Sequence, residues 1–333
     1  MKISDLMPLA ARASVATSRS LDPSIATVVC IPCFRRPRHL RLTLESLVRQ
    51  RTDRRFAVVI VENDAVGRES VAVAAEFLEA DRFAGLCVVE PRQGNCHAIN
   101  AAFATALASF PTAAHFLMID DDEIAAADWL ELMVRACETS GADLVGGPVL
   151  QNFDDEMKRA LQRHPAFRPA YDLSGPVPVI YGSGNCLITR PVFAGLADPA
   201  FDLRFNFLGG GDTDFFWRCR QAGMKFHWAA EAVITETVPH DRTNPGWLLL
   251  RGLRIGAINY HVQRKAARTT WSRAGLLAKM FAMLPMSLAR AGQLFFTEQR
   301  AVIAMHPMIV ATGSALAAIG IEPQPYKASR IAS

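Results

Sequence analysis

The chain has 333 residues, half of them hydrophobic, and carries a net charge of +4. That length allows one large α/β domain with an appendage or two modest domains, and the apolar content excludes a disordered chain. The charge is segregated: residues 1–55 hold eleven Lys/Arg against four acids, residues 56–241 thirteen against twenty-six, and residues 242–297 nine against none. An acidic middle between basic ends suits a cation-using core with a surface that seeks anions, which nucleic acid or an anionic membrane would satisfy. Seven cysteines without regular spacing fit a reducing compartment, and the CxxC pair Cys30/Cys33 has no second pair to complete a zinc site. No unbroken apolar run of the secretory type is found near the N-terminus.

In chain order, residues 1–25 read as a Ser/Ala/Arg-rich arm, a short helix and a linker. Ala26–Ile31 reads as a buried strand stopped by Pro32, and Leu40, Leu44, Leu47 and Val48 mark an amphipathic helix over 39–50. Strand 56–61 ends in Glu62-Asn63-Asp64, and a helix follows at about 70–80. Strand 86–89 leads into Pro91-Arg92-Gln93-Gly94-Asn95 and a helix at about 96–108. Phe116-Leu117-Met118-Ile119 is a fourth strand, running straight into Asp120-Asp121-Asp122-Glu123. Alternation of this kind predicts a parallel sheet whose strand ends converge on one ligand-binding edge. Four adjacent carboxylates repel one another, and a divalent cation would relieve them.

The second half is less regular. Residues 143–149 read as another strand, 151–178 as a mobile excursion with four prolines, and 179–188 as a Gly-interrupted strand whose glycines admit a ligand. Asp212 or Thr213 reads as the N-cap of a helix ending at Gly223, and the loop before it could carry a carboxylate to a substrate. Trp247–Val262 and 275–296 are basic and apolar helices suited to an anionic lipid surface or to packing as a helical subdomain. Residues 301–321 carry no charge and are long enough to span a bilayer, but His306, Pro307 and the small residues favour a re-entrant or surface-bound helix.

Taken together, five features resemble family 2 glycosyltransferases with a GT-A fold. They are Ile31-Pro32-Cys33-Phe34-Arg35, Val61-Glu62-Asn63-Asp64, Arg92-Gln93-Gly94, the DxD-like Asp120-Asp121-Asp122, and Gly211-Asp212-Thr213-Asp214. The run Glu236–Thr243 is similar to bacterial exopolysaccharide transferases of the succinoglycan type. The resemblance, which covers about residues 26–265, implies an α/β, Rossmann-like mixed sheet flanked by helices over 26–245. Composition marks 1–25 as an arm and 246–333 as a C-terminal basic and apolar helical region, suited to a membrane surface or to packing as a subdomain or dimer interface. It implies an inverting, metal-dependent transfer of one sugar from a nucleotide sugar, by default a UDP sugar, to a polysaccharide or lipid-linked glycan. By resemblance, Asp122 and Asp120, with His240, would hold Mn²⁺ or Mg²⁺. Pro32, Phe34, Arg35, Glu62, Asn63, Arg92, Gly94, Asp120 and Asp121 would hold the nucleotide, and Asp212 would be the general base with Asp214 as substitute. The expected location is cytoplasmic, at the inner face of the cell membrane.

Two departures stand out: Gly211 replaces the usual Glu before the catalytic Asp, and no QxxRW motif of processive synthases is present. Two other readings stay open. One is a non-catalytic sugar-nucleotide or polysaccharide-binding subunit. The other is a sugar nucleotidyltransferase, which the glycine-free loop 32–36 disfavours. Nucleic-acid binding is not expected, given the acidic middle and the lack of a motif.

Overall fold

The computed structural model describes residues 13–153, 161–197, 200–297 and 301–323. They divide into two compact units. One comprises the chain up to Leu150 with Pro169–Asn206 and Asp214–Glu236; the other comprises Gln151–Arg168, Phe207–Thr213 and the chain from Thr237 onward.

The first unit alternates strands and helices: β1 (Ala16–Thr17), β2 (Thr27–Cys33), α1 (Pro37–Val48), β3 (Phe56–Glu62), α2 (Glu69–Glu79), β4 (Ala84–Val89), α3 (Asn95–Ser109) and β5 (His115–Met118). Next come β6 (Glu123–Ala125), α4 (Trp129–Ser140), β7 (Leu144–Gly146) and β8 (Val149–Phe153), in which the chain passes to the second unit. Later segments add β9 (Gly175–Val177), β10 (Cys186–Thr189), α5 (Arg190–Gly195), α6 (Gly211–Gln221), β11 (Phe226–Trp228) and β12 (Ile234–Val238), of which α6 begins and β12 ends in the second unit. Among the described residues, nine strands form one mixed sheet in the order β1-β4-β3-β2-β5-β10-β7-β11-β9. Strands β4, β3, β2 and β5 are parallel, and β10 is inserted antiparallel between β5 and β7. Strand β2 is buried along its whole length, as a strand covered on both faces must be. Helix α1 packs Leu40, Leu44 and Leu47 on the sheet, and α4 packs Trp129, Leu130, Met133 and Val134.

Several expectations change. Strand β2 runs through Pro32 to Cys33, with Pro32 opposite Val61. Cys30 bonds toward β5 and Cys33 toward β3, so by alternation the missing N–H of Pro32 falls on the β5 side, past that strand's last residue. The strand expected over 143–149 is two, β7 and β8. The 151–178 excursion carries β9, paired antiparallel with β11, while residues 154–160 lie outside the described residues, as do residues 1–12 of the expected N-terminal arm. Within 179–188 only Cys186 onward is strand.

The second unit is mostly helical: α7 (Pro245–Ala266), α8 (Thr270–Thr297), α9 (Ala301–Ala304) and α10 (His306–Ala318). Phe153, Leu161, Phe167, Val238 and Leu248 form a small core in it. The 301–321 stretch is therefore two short helices, and α10 buries Ala311, Gly313, Ser314 and Ala317 against its neighbours rather than presenting a continuous span. No helix among the described residues is long and apolar enough to cross a membrane.

Candidate active site

The carboxylate run lies where the sequence reading placed it, at the end of β5 in the middle of the sheet. Asp120–Glu123 does not continue the strand. It turns, and β6 pairs antiparallel with β12 so that Glu123 faces Glu236 in register. The backbone N–H of Asp120 donates to Glu123 Oε2 (2.8 Å), and Thr43 Oγ1 donates to the carbonyls of Asp121 and Glu123. An ideal Cβ on Gly184 would sit 2.4 Å from Glu123 Oε1. The close approach expected at the 182–184 glycines is thus made by a buried carboxylate.

Burial and mutual repulsion load this cluster. Loss of solvation, then Asp122 and Asp121, push the Asp120 carboxyl up to about 8. Loss of solvation raises Asp121 to about 6, against the pull of Arg36. Glu123 is raised well above the usual carboxylate range, first by burial and then by Asp120. One nearby cation moderates the charge: Arg36 Nη1 donates to Asp122 Oδ2 (2.5 Å) and Asp121 Oδ1 (3.2 Å). The sequence reading counted Glu123 among the four adjacent carboxylates but gave Arg36 and Glu236 no role at the site. Arg36 stands beside the Phe34/Arg35 pair, and that adjacency was the only available signal.

The loops at the neighbouring strand ends are built from the motif residues. Phe34 N–H donates to Asp121 Oδ2 (3.0 Å), tying the β2 loop to the acidic turn. Arg35 holds a left-handed φ of 55°, lies over the Phe34 ring at 5.0 Å, and donates from Nε to Asp64 Oδ2 (2.6 Å). Pro32 is buried in the strand beneath. Glu62 is fully buried and accepts from the N–H groups of Asp64 (2.8 Å) and Ser70 (2.9 Å), so its carboxylate holds the loop and the start of α2. Asn63 donates to the carbonyls of Glu90 and Arg92 and accepts from Gly94 N–H (2.7 Å). Arg92 is clamped on buried Glu90 through Nε and Nη2, each 3.1 Å away. Gly94 has φ 131°, and a Cβ there would fall 1.9 Å from Asn206 Nδ2, which itself donates to Gln93 O. That position requires glycine on both counts.

Helix α6 begins at Gly211, so Asp212 and Thr213 lie in its first turn instead of serving as its N-cap. Asp212 is partly buried and its carboxylate accepts from Thr213 N–H (2.7 Å). Asp214 is 1% exposed and accepts from Arg218 Nε one turn on (2.8 Å). His240 is exposed at the start of a short 3-10 helix, His240–Thr243, in the second unit.

Among the described residues, no group of three or more His, Cys, Asp or Glu is arranged to hold a metal by itself. The donor set at the acidic turn is all oxygen, which fits Mg²⁺ or Mn²⁺ held by one or two carboxylates and completed by substrate phosphates. Asp120, Asp121 and Glu123 are raised first by loss of solvation and also by neighbouring carboxylates, a crowding that a bound cation would relieve.

The chain is 29% identical over 255 residues to the succinoglycan biosynthesis protein ExoM of Rhizobium meliloti (strain 1021), covering 72% of this chain and 77% of that one. Its fold resembles mannosyltransferase PcManGT of Pyrobaculum calidifontis, solved with GDP-Man and Mn²⁺, with TM-score 0.59 at 16% identity over 96% of this chain and 93% of that one. It also resembles S. aureus TarS 1–349 in complex with UDP, with TM-score 0.51 at 11% identity over 88% and 90%. Both likenesses show a GT-A type of fold. The family model for glycosyl transferase family 2 matches residues 28–195. A match over half the chain, on the strands that carry the acidic turn, establishes that this protein belongs to family 2 of the glycosyltransferases.

Proposed function

We propose that the protein is an inverting, metal-dependent transferase that moves one sugar from a nucleotide sugar, a UDP sugar by preference, to a polysaccharide or lipid-linked glycan. The observation that carries this reading is the acidic turn: four successive carboxylates at the end of a central strand, two of them paired with Arg36. ExoM's part in succinoglycan biosynthesis supports a glycan acceptor, and the UDP bound to TarS supports a uridine donor.

Asp122, with Asp120, would hold the divalent ion through carboxylate oxygens, and the ion supplies Lewis-acid stabilisation of the departing diphosphate. Phe34 and the Arg35–Asp64 pair would shape the nucleoside pocket. Glu62, Asn63 and Gly94 contribute by fixing the loops, since their polar groups already bind backbone. Arg92 keeps an exposed guanidinium, oriented by Glu90, for ribose or phosphate. Asp212 is the better base candidate because the Asp214 carboxylate is tied into a buried ion pair with Arg218. The acceptor hydroxyl oxygen attacks the anomeric carbon opposite the diphosphate. Its proton passes to Asp212, and the anomeric C–O bond breaks with the electron pair leaving on the diphosphate. His240, exposed on its 3-10 helix, is retained only as a candidate metal ligand.

The test is turnover and donor binding with Mn²⁺, Mg²⁺ or chelator, for wild type, Asp122→Asn and Asp212→Asn. Asp122→Asn should lose metal-dependent nucleotide binding. Asp212→Asn should keep it while kcat falls roughly 10²–10⁴-fold. Nucleotide binding unaffected by chelator would overturn the metal role, and near-normal turnover of Asp212→Asn would overturn the base.

A further inference from the structure

Helix α8 has a conspicuous outer face. Its buried stripe is narrow, made by Leu276, Met280, Ser287 and Ala291 against the other helices of its unit. The surface from one side of that stripe round to the far side of the helix is apolar and open to solvent. Phe281, Leu288 and Phe295 recur at seven-residue intervals and so run in one line along the helix, with exposures of 58%, 57% and 60%. A second line begins at Trp271 (88% exposed), continues through Ala278, Ala282 and Ala289, and ends at Phe296 (91%). A soluble monomer rarely leaves so continuous an apolar strip uncovered.

The charges identify what covers it. No Asp or Glu occurs between residues 242 and 297, and Lys279, whose Nζ donates to Gln263 Oε1 at 2.7 Å, and Arg290 lie exposed beyond the Trp271–Phe296 edge of the strip. A second copy of α8 would set these cations against like charge, whereas an anionic lipid surface attracts them while the aromatics enter the headgroup boundary. The helix carries Pro285 and is not apolar enough to cross a bilayer, so it would lie in the interface plane. We infer that α8 docks the protein on an anionic bilayer surface through the Phe281–Leu288–Phe295 line and the strip edged by Trp271 and Phe296, with Lys279 and Arg290 reaching lipid phosphates. This inference concerns the second unit alone and does not depend on the catalytic roles proposed above.

The experiment is co-sedimentation of the full chain with vesicles of phosphatidylcholine, alone or mixed with phosphatidylglycerol, at low and high salt. Wild type, Phe281→Glu/Phe296→Glu and Lys279→Glu/Arg290→Glu are compared, with circular dichroism melts to confirm folding and light scattering to record oligomeric state without lipid. Wild type should bind the mixed vesicles roughly tenfold better than pure phosphatidylcholine, an advantage lost at high salt. The Phe double variant should lose roughly tenfold on both vesicles, and the Lys/Arg double variant should lose only the preference for anionic lipid. Failure of wild type to sediment with the mixed vesicles at low salt would overturn the inference. So would a wild-type dimer that the Phe double variant converts to monomer with vesicle binding unchanged, because the strip would then belong to a second copy.

Discussion

Arg36 bridges Asp121 and Asp122 with a guanidinium that is itself only partly exposed. Without it, the carboxylates raised by burial and by one another lose their nearest counter-charge. Arg36→Ala should therefore lower stability by about 1–2 kcal/mol in chelator, a figure kept small because the pair is partly solvated. If a divalent ion takes over that neutralisation, saturating Mn²⁺ with UDP should shrink the deficit. Paired thermal melts of wild type and variant, with chelator and with Mn²⁺–UDP, check both parts. An unchanged deficit would show that Arg36 and the ion do not serve the same carboxylates. At this scale the sequence showed the identity of the acidic residues but not their directions. Glu62 and Asn63 look like ligand-facing polar residues at a strand end, yet both are turned onto backbone groups, and only three-dimensional coordinates reveal that.

At the scale of elements, the first four long strands were legible because each is an unbroken apolar run between recognisable helices. What followed was not. Strands β7, β9 and β11 have three residues each, too short to establish a period, and their partners are remote: Phe226–Trp228 pairs with Leu144–Gly146, and Gly175–Val177 with Phe226–Trp228. Proximity of Glu236 to Glu123 depends on a similar remote register and left no local signal. The contact of α7 with α10 is equally non-local. A Cβ on Gly256 would lie 2.1 Å from Val310 O, and one on Gly313 would lie 2.1 Å from Leu253 O, so the helix backbones touch at two reciprocal glycines. Ser314 Oγ, donating to Gly256 O, marks the same closeness. Backbone cannot yield as a flexible side chain can. Gly256→Ala or Gly313→Ala should force the helices apart and cost about 2–4 kcal/mol, despite the better helix propensity of Ala. Denaturant titration would reveal this as a lower midpoint. A midpoint at or above wild type would mean the helices are less tightly apposed.

For the whole molecule, charge segregation was visible by counting, but its consequence for pH response requires knowing which groups are buried. The acidic turn and the helical unit respond in opposite senses. Asp120, Asp121 and Glu123 bind protons more tightly folded than unfolded, so acidification from neutral pH favours the folded state through them. His164 does the reverse. Its ring is 1% exposed, meets His306 edge-on at 4.7 Å between centroids, and accepts from Ala166 N–H at Nδ1. Loss of solvation, then His306 and Arg251, push it down to about 4, and burial lowers His306 as well. Between about pH 6.5 and 4 the unfolded chain therefore binds more protons at His164 than the folded one, so stability rises with pH there and is lost on acidification. Phe in place of His164 keeps the ring volume among Phe167 and His306 and removes the titration. His164→Phe should match wild type within about 1 kcal/mol at pH 7.5 and lose less stability than wild type, by about 1–2 kcal/mol, on going to pH 4.5. Urea unfolding at both pH values measures the difference directly, because the acidic-turn contribution is common to both proteins and cancels. Equal acid losses in the two proteins would mean that the His164 ring takes up its proton as readily in the fold as in the unfolded chain, with Arg251 and His306 displaced enough to admit the charge.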